Sequence, residues 1–164
     1  MKRNISYYGL VLLLLVIDQA AKMLIVRTIR LFGSIKVIPG FFDLSHIRNK
    51  GAIFGAFSRV DGPLVTILLT VASFCALAMV AYYFVKTPPS EKWMKIALSL
   101  ILGGALGNLI DRVFRGYVID FLELYIKDFR WPTFNVADSC ITIGAFLLII
   151  VFLVRRPSHV SHPD

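Results

Sequence analysis

Two aspartates, Asp120 and Asp138, are the residues of this sequence whose type and spacing could carry out chemistry. Asp120 lies in the alternating segment "GYVIDFLELYI", and Asp138 lies near the start of an apolar run that continues to residue 154. Two carboxylates that lie close together share one proton, and such a pair can act as a general acid and a general base. By position alone, Asp138 is more simply interpreted as part of a helix start, with Asn135 as a good cap candidate.

A second group of polar residues ends the apolar stretch "GGALGNLIDR". Asn108 lies three positions before Asp111 and four before Arg112, so the three side chains share roughly one face of a helix. Gly103 and Gly107 have the spacing that lets another helix approach closely. An interfacial ion pair between Asp111 and Arg112 would be a simpler interpretation, but it would leave the deeper Asn108 unexplained.

The first apolar stretch carries one ionisable pair, Asp18 and Lys22. Their i,i+4 spacing, with the acid first, favours an intrahelical ion pair. We favour a structural role, in which the two charges neutralise each other and tie this helix to a neighbour. A direct role in chemistry stays open, because ionisable residues within lipid are often functional.

Residues with the spacing of a metal site are not found in this sequence. The histidines are His46, His159 and His162, and the last two lie in the C-terminal tail. Cys75 and Cys140 each fall inside an apolar stretch and are interpreted as small buried hydrophobic residues. We therefore expect no metal and no cofactor.

The elements that must position these residues are membrane-spanning helices. Of the 164 residues, 57% are apolar and 17% are charged, which leaves too little polar surface to cover a water-soluble globule. Four stretches are long enough, or nearly so, to cross a bilayer, at about residues 7–26, 63–85, 93–113 and 136–154. Basic residues flanking these spans explain the net charge of +8, so no nucleic-acid partner is expected.

The distribution of basic residues sets the expected orientation. Four spans place both termini on one side, together with the short loop 86–92. That side has its lysines and arginines densely placed in short segments, although the longer segments 27–62 and 114–135 carry more of them in total. Short segments near span ends have the stronger influence, so both termini are expected in the cytoplasm. The N-terminus could pass for a cleavable signal peptide, but its helical pattern continues to Val26, which favours a retained span.

The two longer segments are expected to form structure on the outer (periplasmic) face. Residues 34–49 predict a pair of strands, and residues 116–126 predict another strand. Residues 52–60 predict a short interfacial helix. The expected fold is a single mainly α membrane domain, residues 1–164, with four transmembrane helices, this small β element and this interfacial helix.

This arrangement brings the two aspartates to the same side of the membrane. The third span runs outward and ends near Asp111, and the fourth begins near residue 136 and runs back inward. The segment 114–135 between them is short. Asp120 and Asp138 are therefore expected on the outer side and at a similar depth.

Five segments taken together resemble one family, the lipoprotein signal peptidases, also called signal peptidase II. They are "DQAAK", "RNKGAIFG", "GGALGNLIDR", "VIDFL" and "FNVADSCITIG", and they come in the order of that family at about its spacing. Each segment alone is a weak signal, whereas the set is specific and covers essentially the whole chain. Lys50 and Ile53 depart from the usual pattern of the family, and such a change would affect the rim of a substrate groove.

The resemblance implies an aspartyl peptidase of the bacterial cytoplasmic (inner) membrane, with Asp120 and Asp138 as the catalytic dyad near the outer face. The residues that it implies around the dyad are Asn49, Asn108, Arg112 and Asn135. We expect Asp111 to support the same site. The implied substrates are prolipoproteins that carry diacylglycerol on a cysteine, and the implied cut comes just before that cysteine.

Two other classes of protein remain as alternatives, a small polytopic transporter and a membrane assembly subunit. A transporter would be expected to place polar residues at mid-membrane depth on several spans or to contain broken helices. The second apolar stretch, residues 63–85, contains no charged residue. We expect a monomer in contact with membrane lipid.

Overall fold

The computed structural model describes residues 2–50 and 63–154. Its helices are α1 (Lys2–Thr28), α2 (Pro63–Lys86), α3 (Lys92–Arg115) and α4 (Val136–Val154). Its strands are β1 (Ser34–Ile38), β2 (Phe42–Asn49), β3 (Val118–Ile126) and β4 (Phe129–Arg130). Within the described residues, these four helices are long and apolar enough to cross a membrane, which confirms the four predicted spans. The predicted interfacial helix, residues 52–60, lies outside the described residues.

The helix α3 is the central helix of the bundle. Half of its span is buried inside the protein, against 6% for the span of α2. A Cβ added at Gly104 would lie 2.3 Å from the carbonyl oxygen of Ala137 on α4, and one at Gly107 would lie 2.5 Å from Oδ2 of Asp18 on α1. The close approach predicted from Gly103 and Gly107 is therefore confirmed on the α1 side. Gly104 allows a second close approach on the α4 side.

The strands lie in the order β1–β2–β3–β4 and pair in antiparallel fashion, which confirms the strands predicted in residues 34–49 and 116–126. Ile47 on β2 is the pairing partner of Asp120 on β3. Residues two apart on a strand point to the same face of the sheet. Asn49 and Asp120 therefore lie on one face, two positions apart in register.

A hydrophobic cluster fixes which way β3 faces. Ile25 and Ile29 near the end of α1 pack with Ile119 and Phe121 of β3. Those two residues of β3 flank Asp120, and successive side chains on a strand point to opposite faces. Their burial against α1 therefore turns Asp120 away from α1 and toward the other face of the strand.

A buried lysine joins the ends of α2 and α3. Pro88 has no N–H to donate to the carbonyl oxygen of Phe84, four residues earlier. The ammonium group of Lys95 donates to that oxygen instead, and it lies 4.3 Å from the centroid of the Phe84 ring. Lys95 is 2% exposed. The contact supplies a donor for a helix-end carbonyl that would otherwise have lost its backbone partner.

Candidate active site

Asn135 and Asp138 form two reciprocal hydrogen bonds at the start of α4. Oδ1 of Asn135 accepts the backbone N–H of Asp138 at 2.9 Å, and Oδ2 of Asp138 accepts the backbone N–H of Asn135 at 3.2 Å. This is the reciprocal pattern of a capping box. It uses only one carboxylate oxygen of Asp138, so the other oxygen is available for a different contact.

Asp120 lies on β3 within reach of two asparagine amides. Nδ2 of Asn49 donates to its Oδ2 at 2.9 Å, and Nδ2 of Asn135 donates to its Oδ1 at 2.8 Å. Asn49 comes from the neighbouring strand β2, and Asn135 comes from the cap of α4. The Asp120 side chain is 2% exposed. The strand pairing and the helix cap together therefore fix the Asp120 carboxylate.

Asn108 on α3 connects the two carboxylates. Its Nδ2 donates to Oδ1 of Asp138 at 2.7 Å, and its Oδ1 accepts from Nδ2 of Asn135 at 3.3 Å. Because Asn135 also binds Asp120, an unbroken chain of side-chain hydrogen bonds runs from Asp120 through both amides to Asp138. With Asn49, which also binds Asp120, the structure therefore brings together five of the residues selected from the sequence.

The surroundings of Asp120 favour its protonated form. Burial raises the pKa of the Asp120 carboxyl from 3.8 to about 6, and the negative charge of Asp138 adds to this rise. The hydrogen bonds from Asn49 and Asn135 and the positive charge of Lys22 lower the pKa of Asp120, but they do not outweigh burial. A carboxyl group with such a pKa can hold a proton near neutral pH and release it during a reaction.

The predicted ion pair of Asp18 and Lys22 is part of a larger buried cluster. Nζ of Lys22 lies 2.8 Å from Oδ2 of Asp18 and 2.9 Å from Oδ2 of Asp111. The same Nζ donates to Oδ1 of Asn108 at 3.0 Å. Oδ1 of Asp18 accepts the backbone N–H of Ala137 at 2.9 Å. This cluster therefore links α1 to α3 and to the first turn of α4, directly beside the two carboxylates.

Asp111 does not form the ion pair with Arg112 that was considered as the simpler interpretation. It binds Lys22 and also Arg115, one turn further along α3, and it accepts the backbone N–H of Ile119 at 3.2 Å. Arg112 instead donates to Oγ of Ser73 on α2 at 3.1 Å. The negative charges of Asp138 and Asp120 act on Arg112 electrostatically. Arg112 therefore lies beside the carboxylates while joining α3 to α2.

Gln19 and Ser73 belong to this network, and neither was predicted from the sequence to do so. Nε2 of Gln19 donates to the carbonyl oxygen of Gly107 at 3.1 Å and to Oδ1 of Asp111 at 3.2 Å. A polar residue next to Asp18 in an apolar stretch was an available signal for Gln19. Ser73 had no such signal, because a lone serine in a membrane span commonly bonds to its own helix, as Ser73 also does with Leu69.

A largely apolar groove of about 550 Å³ opens beside Asp138, between α4 and the segment that follows β4. The side chains that line it are Leu124, Trp131, Pro132, Thr133, Phe134, Asp138, Ser139, Thr142 and Ile143. Within residues 2–50 and 63–154, no group of three His, Cys, Asp or Glu side chains is arranged to hold a metal ion. His46 is buried, with Nδ1 2.9 Å from the carbonyl oxygen of Ile29.

A family model and individual proteins both match most of this chain. The family model described as "Signal peptidase (SPase) II" matches residues 10–154. The "Lipoprotein signal peptidase" of Geobacter metallireducens is 44% identical over 151 residues, which cover 92% of this chain and 92% of that protein. The protein of the same description from Geobacter sulfurreducens is 47% identical over 136 residues, which cover 83% and 84%.

A solved structure has a similar fold. It is described as "Bacterial membrane enzyme structure by the in meso method at 1.9 A resolution". It matches this chain with a TM-score of 0.80 and 34% sequence identity, and the match covers 92% of this chain and 94% of that one. The chain therefore belongs to the signal peptidase II family.

Proposed function

We propose that this protein is an aspartic endopeptidase that removes signal peptides from diacylglyceryl-modified prolipoproteins, cutting before the lipid-modified cysteine. The observation that carries the proposal is the hydrogen-bonded chain that joins Asp120 to Asp138 through Asn135 and Asn108. Membership in a peptidase family and the description of its relatives as lipoprotein signal peptidases support the reaction class and the substrate class.

The two carboxylates divide the work of hydrolysis. Asp138 lies in the first turn of α4, where the helix end and its two hydrogen-bond donors favour negative charge. It takes a proton from water as the water oxygen bonds to the scissile carbonyl carbon. Asp120 holds the shared proton, polarises the carbonyl oxygen, and supplies the proton that the departing amine needs when the C–N bond breaks. The pair titrates as a unit, so these are roles within one dyad.

The other polar residues support this chemistry. Asn49, Asn108 and Asn135 keep the carboxylates in place, and each uses a side-chain amide to do so. Arg112 adds a positive charge beside the dyad, which stabilises the oxyanion that develops on the substrate carbonyl. Asp111 supports the site indirectly, through its contacts with Lys22 and the backbone of Ile119.

The position of the site suits a substrate that is anchored in lipid. The dyad lies where α1, α3 and α4 meet the sheet, and the apolar groove begins at Asp138. A peptide bond next to a diacylglyceryl cysteine lies near the membrane interface, so it can reach this position. The dense basic residues in the short segments favour an orientation with both termini in the cytoplasm. In that orientation, the proposed dyad would lie near the outer face of the cytoplasmic membrane.

The alternative functions fit these contacts less well. A transporter is expected to hold its substrate near the bilayer midplane, whereas the charged cluster of the described residues gathers at the sheet end of the bundle. An assembly subunit has no need for two carboxylates that are connected through amide side chains. The two connected carboxylates therefore favour a peptidase over an assembly subunit.

The test is cleavage of a purified diacylglyceryl-modified prolipoprotein, followed by the mobility shift of the product. Asp120→Asn and Asp138→Asn should each abolish cleavage while the protein still inserts and folds. Asp43→Asn is a matched control, because Asp43 is a buried aspartate of the same sheet that accepts from the hydroxyl of Tyr125 at 3.0 Å, away from the dyad. Normal turnover by either folded dyad variant would reject the aspartic mechanism.

A further inference from the structure

The ammonium group of Lys22 donates all three of its protons to side-chain oxygens. The three acceptors are Oδ2 of Asp18 at 2.8 Å, Oδ2 of Asp111 at 2.9 Å and Oδ1 of Asn108 at 3.0 Å. An ammonium group has three donors and no acceptor. Because the Lys22 side chain is 0% exposed, the third position around it is filled by an oxygen of the protein, and that oxygen belongs to Asn108.

The opposite end of the Asn108 amide faces a carboxylate. Nδ2 donates to Oδ1 of Asp138 at 2.7 Å, while Oδ1 also accepts from Nδ2 of Asn135 at 3.3 Å. If this amide rotated by half a turn, its NH₂ group would face the ammonium group of Lys22. Its oxygen would then face the carboxylate of Asp138. Both contacts would become repulsive, so the charges at the two ends select a single orientation.

We propose that Lys22 is a positioning residue for the reaction, because its ammonium group fixes the Asn108 amide with the nitrogen toward Asp138. This inference rests on the proposed function, since it assigns Lys22 a part in the work of the dyad. Lys22 touches neither the dyad nor the groove; it acts through Asn108. The result is that Asp138 keeps a hydrogen-bond donor on Oδ1, which holds its carboxylate in one orientation.

Arg115 provides a matched comparison within the same cluster. It also binds Asp111, and its side chain is partly buried at 26% exposure. Its other hydrogen bond goes to Oε1 of Gln19 at 3.3 Å. Removing Arg115 therefore disturbs the charge balance around Asp111 and leaves the contact between Lys22 and Asn108 in place. A role of Lys22 in charge balance alone would make the two substitutions equivalent.

The experiment compares Lys22→Met and Arg115→Gln in the purified full-length protein, with a diacylglyceryl-modified prolipoprotein as substrate. A small displacement of a reacting group lowers turnover strongly. Without Lys22, Asn108 no longer holds the Asp138 carboxylate in place, so Lys22→Met should lower kcat about 10- to 100-fold per folded enzyme. KM should change by less than about threefold, because the groove is untouched. Arg115→Gln should keep kcat within about threefold of the unsubstituted enzyme.

The pH profile separates a role of the Lys22 charge beside the dyad from a role in packing alone. The positive charge of Lys22 lowers the pKa of Asp120. Removal of that charge should therefore shift the alkaline limb of kcat/KM to higher pH in Lys22→Met and leave it in place in Arg115→Gln. Unchanged kcat per folded Lys22→Met enzyme, or equal losses in the two variants, would overturn the proposal.

A second pair of variants covers the case in which Lys22→Met does not fold. Asp18→Leu keeps the contact between Lys22 and Asn108, and Asp18→Leu with Lys22→Met removes it without leaving Asp18 as an unpaired charge. The double variant should turn over more slowly than Asp18→Leu by the same factor. If no Lys22 variant folds, Lys22 is a folding residue and the positioning role is rejected. The proposed function would instead be rejected if the unsubstituted protein did not cleave the prolipoprotein, or if Asp138→Asn did cleave it.

Discussion

Asn135 and Asp138 cap each other across the first turn of α4, through the 2.9 Å and 3.2 Å hydrogen bonds between side chain and backbone. The sequence left two roles open for Asp138, capping and chemistry. The structure shows why these roles do not compete. Oδ2 serves the cap, and Oδ1 binds the amide of Asn108. The cap fixes the rotation of the carboxylate, so the same residue can start the helix and hold the orientation that the proposed dyad needs.

Asn135 offers a way to separate capping from support of the dyad. Asn135→Ser keeps a good cap residue, whereas Asn135→Ala removes it, so Asn135→Ala should be less stable than Asn135→Ser by about 1 kcal/mol. Both variants lose the donor to Asp120, because serine is too short to reach it. We expect both to lose activity by at least about tenfold. Chemical unfolding in detergent and cleavage per folded enzyme measure the two effects, and full activity in Asn135→Ser would show that the cap is the whole role of Asn135.

The raised pKa of Asp120 predicts the pH dependence of cleavage. Asp120 must be protonated to act as the acid of the dyad, and its pKa is about 6. As pH rises through this value, the proton is lost and activity falls, so kcat/KM at pH 8 should be roughly 100-fold below its maximum. Steady-state measurements from pH 5 to pH 8.5 would test this, and a rate that stays constant up to pH 8 would contradict it.

Asn49 gives a check on that assignment. Its hydrogen bond lowers the pKa of Asp120, so Asn49→Ala should move the alkaline limb of kcat/KM to higher pH. Asp43→Asn, at a buried aspartate of the same sheet outside the dyad, should leave the limb where it is. If the alkaline limb of kcat/KM stays at the same pH in Asn49→Ala, it reports the titration of a group other than Asp120.

Lys95 supports stability at the end of the bundle that is remote from the dyad. Lys95→Met would leave the carbonyl oxygen of Phe84 buried without its donor, which typically costs about 1–3 kcal/mol. Pro88→Ala supplies a backbone N–H at the missing position, so the double variant should recover part of this loss. Activity per folded enzyme should stay unchanged in both, and thermal unfolding measures the stability. A stable Lys95→Met variant would show that this contact contributes little.

The sequence predicted the main elements because each leaves a strong local pattern. The four spans are long apolar runs. Residues 34–49 combine β-branched and aromatic residues with the turn formers Pro39 and Gly40, and residues 116–126 alternate between apolar and polar residues. The first span was predicted from residue 7, whereas α1 already begins at Lys2. Hydropathy marks where a lipid-facing run starts, and a helix extends beyond it into polar residues.

The network of the site was harder to predict because its contacts are long-range. The Asp18 and Lys22 spacing predicts an ion pair within one helix, but nothing local predicts that Lys22 also reaches Asp111 and Asn108 on α3. Nothing local predicts the partner of Lys95 either. It binds the carbonyl oxygen of Phe84, which lacks a backbone donor because of Pro88. These contacts depend on which faces of the helices meet, and small residues such as Gly104 decide that.

Gly104 tests whether this close packing positions the dyad. An added Cβ would lie 2.3 Å from the carbonyl oxygen of Ala137 and 2.9 Å from the side chain of Ile141. Gly104→Ala must therefore push α4 away from α3 and carry Asp138 with it, at a cost of about 1–3 kcal/mol of stability.

Gly9→Ala is the matched control, because a Cβ there meets nothing within 4 Å. Gly9→Ala should be neutral or stabilising by up to about 1 kcal/mol, as expected for alanine in a helix. Cleavage per folded enzyme should fall at least about tenfold in Gly104→Ala only; equal behaviour of the two variants would show that the approach of α3 to α4 does not position Asp138.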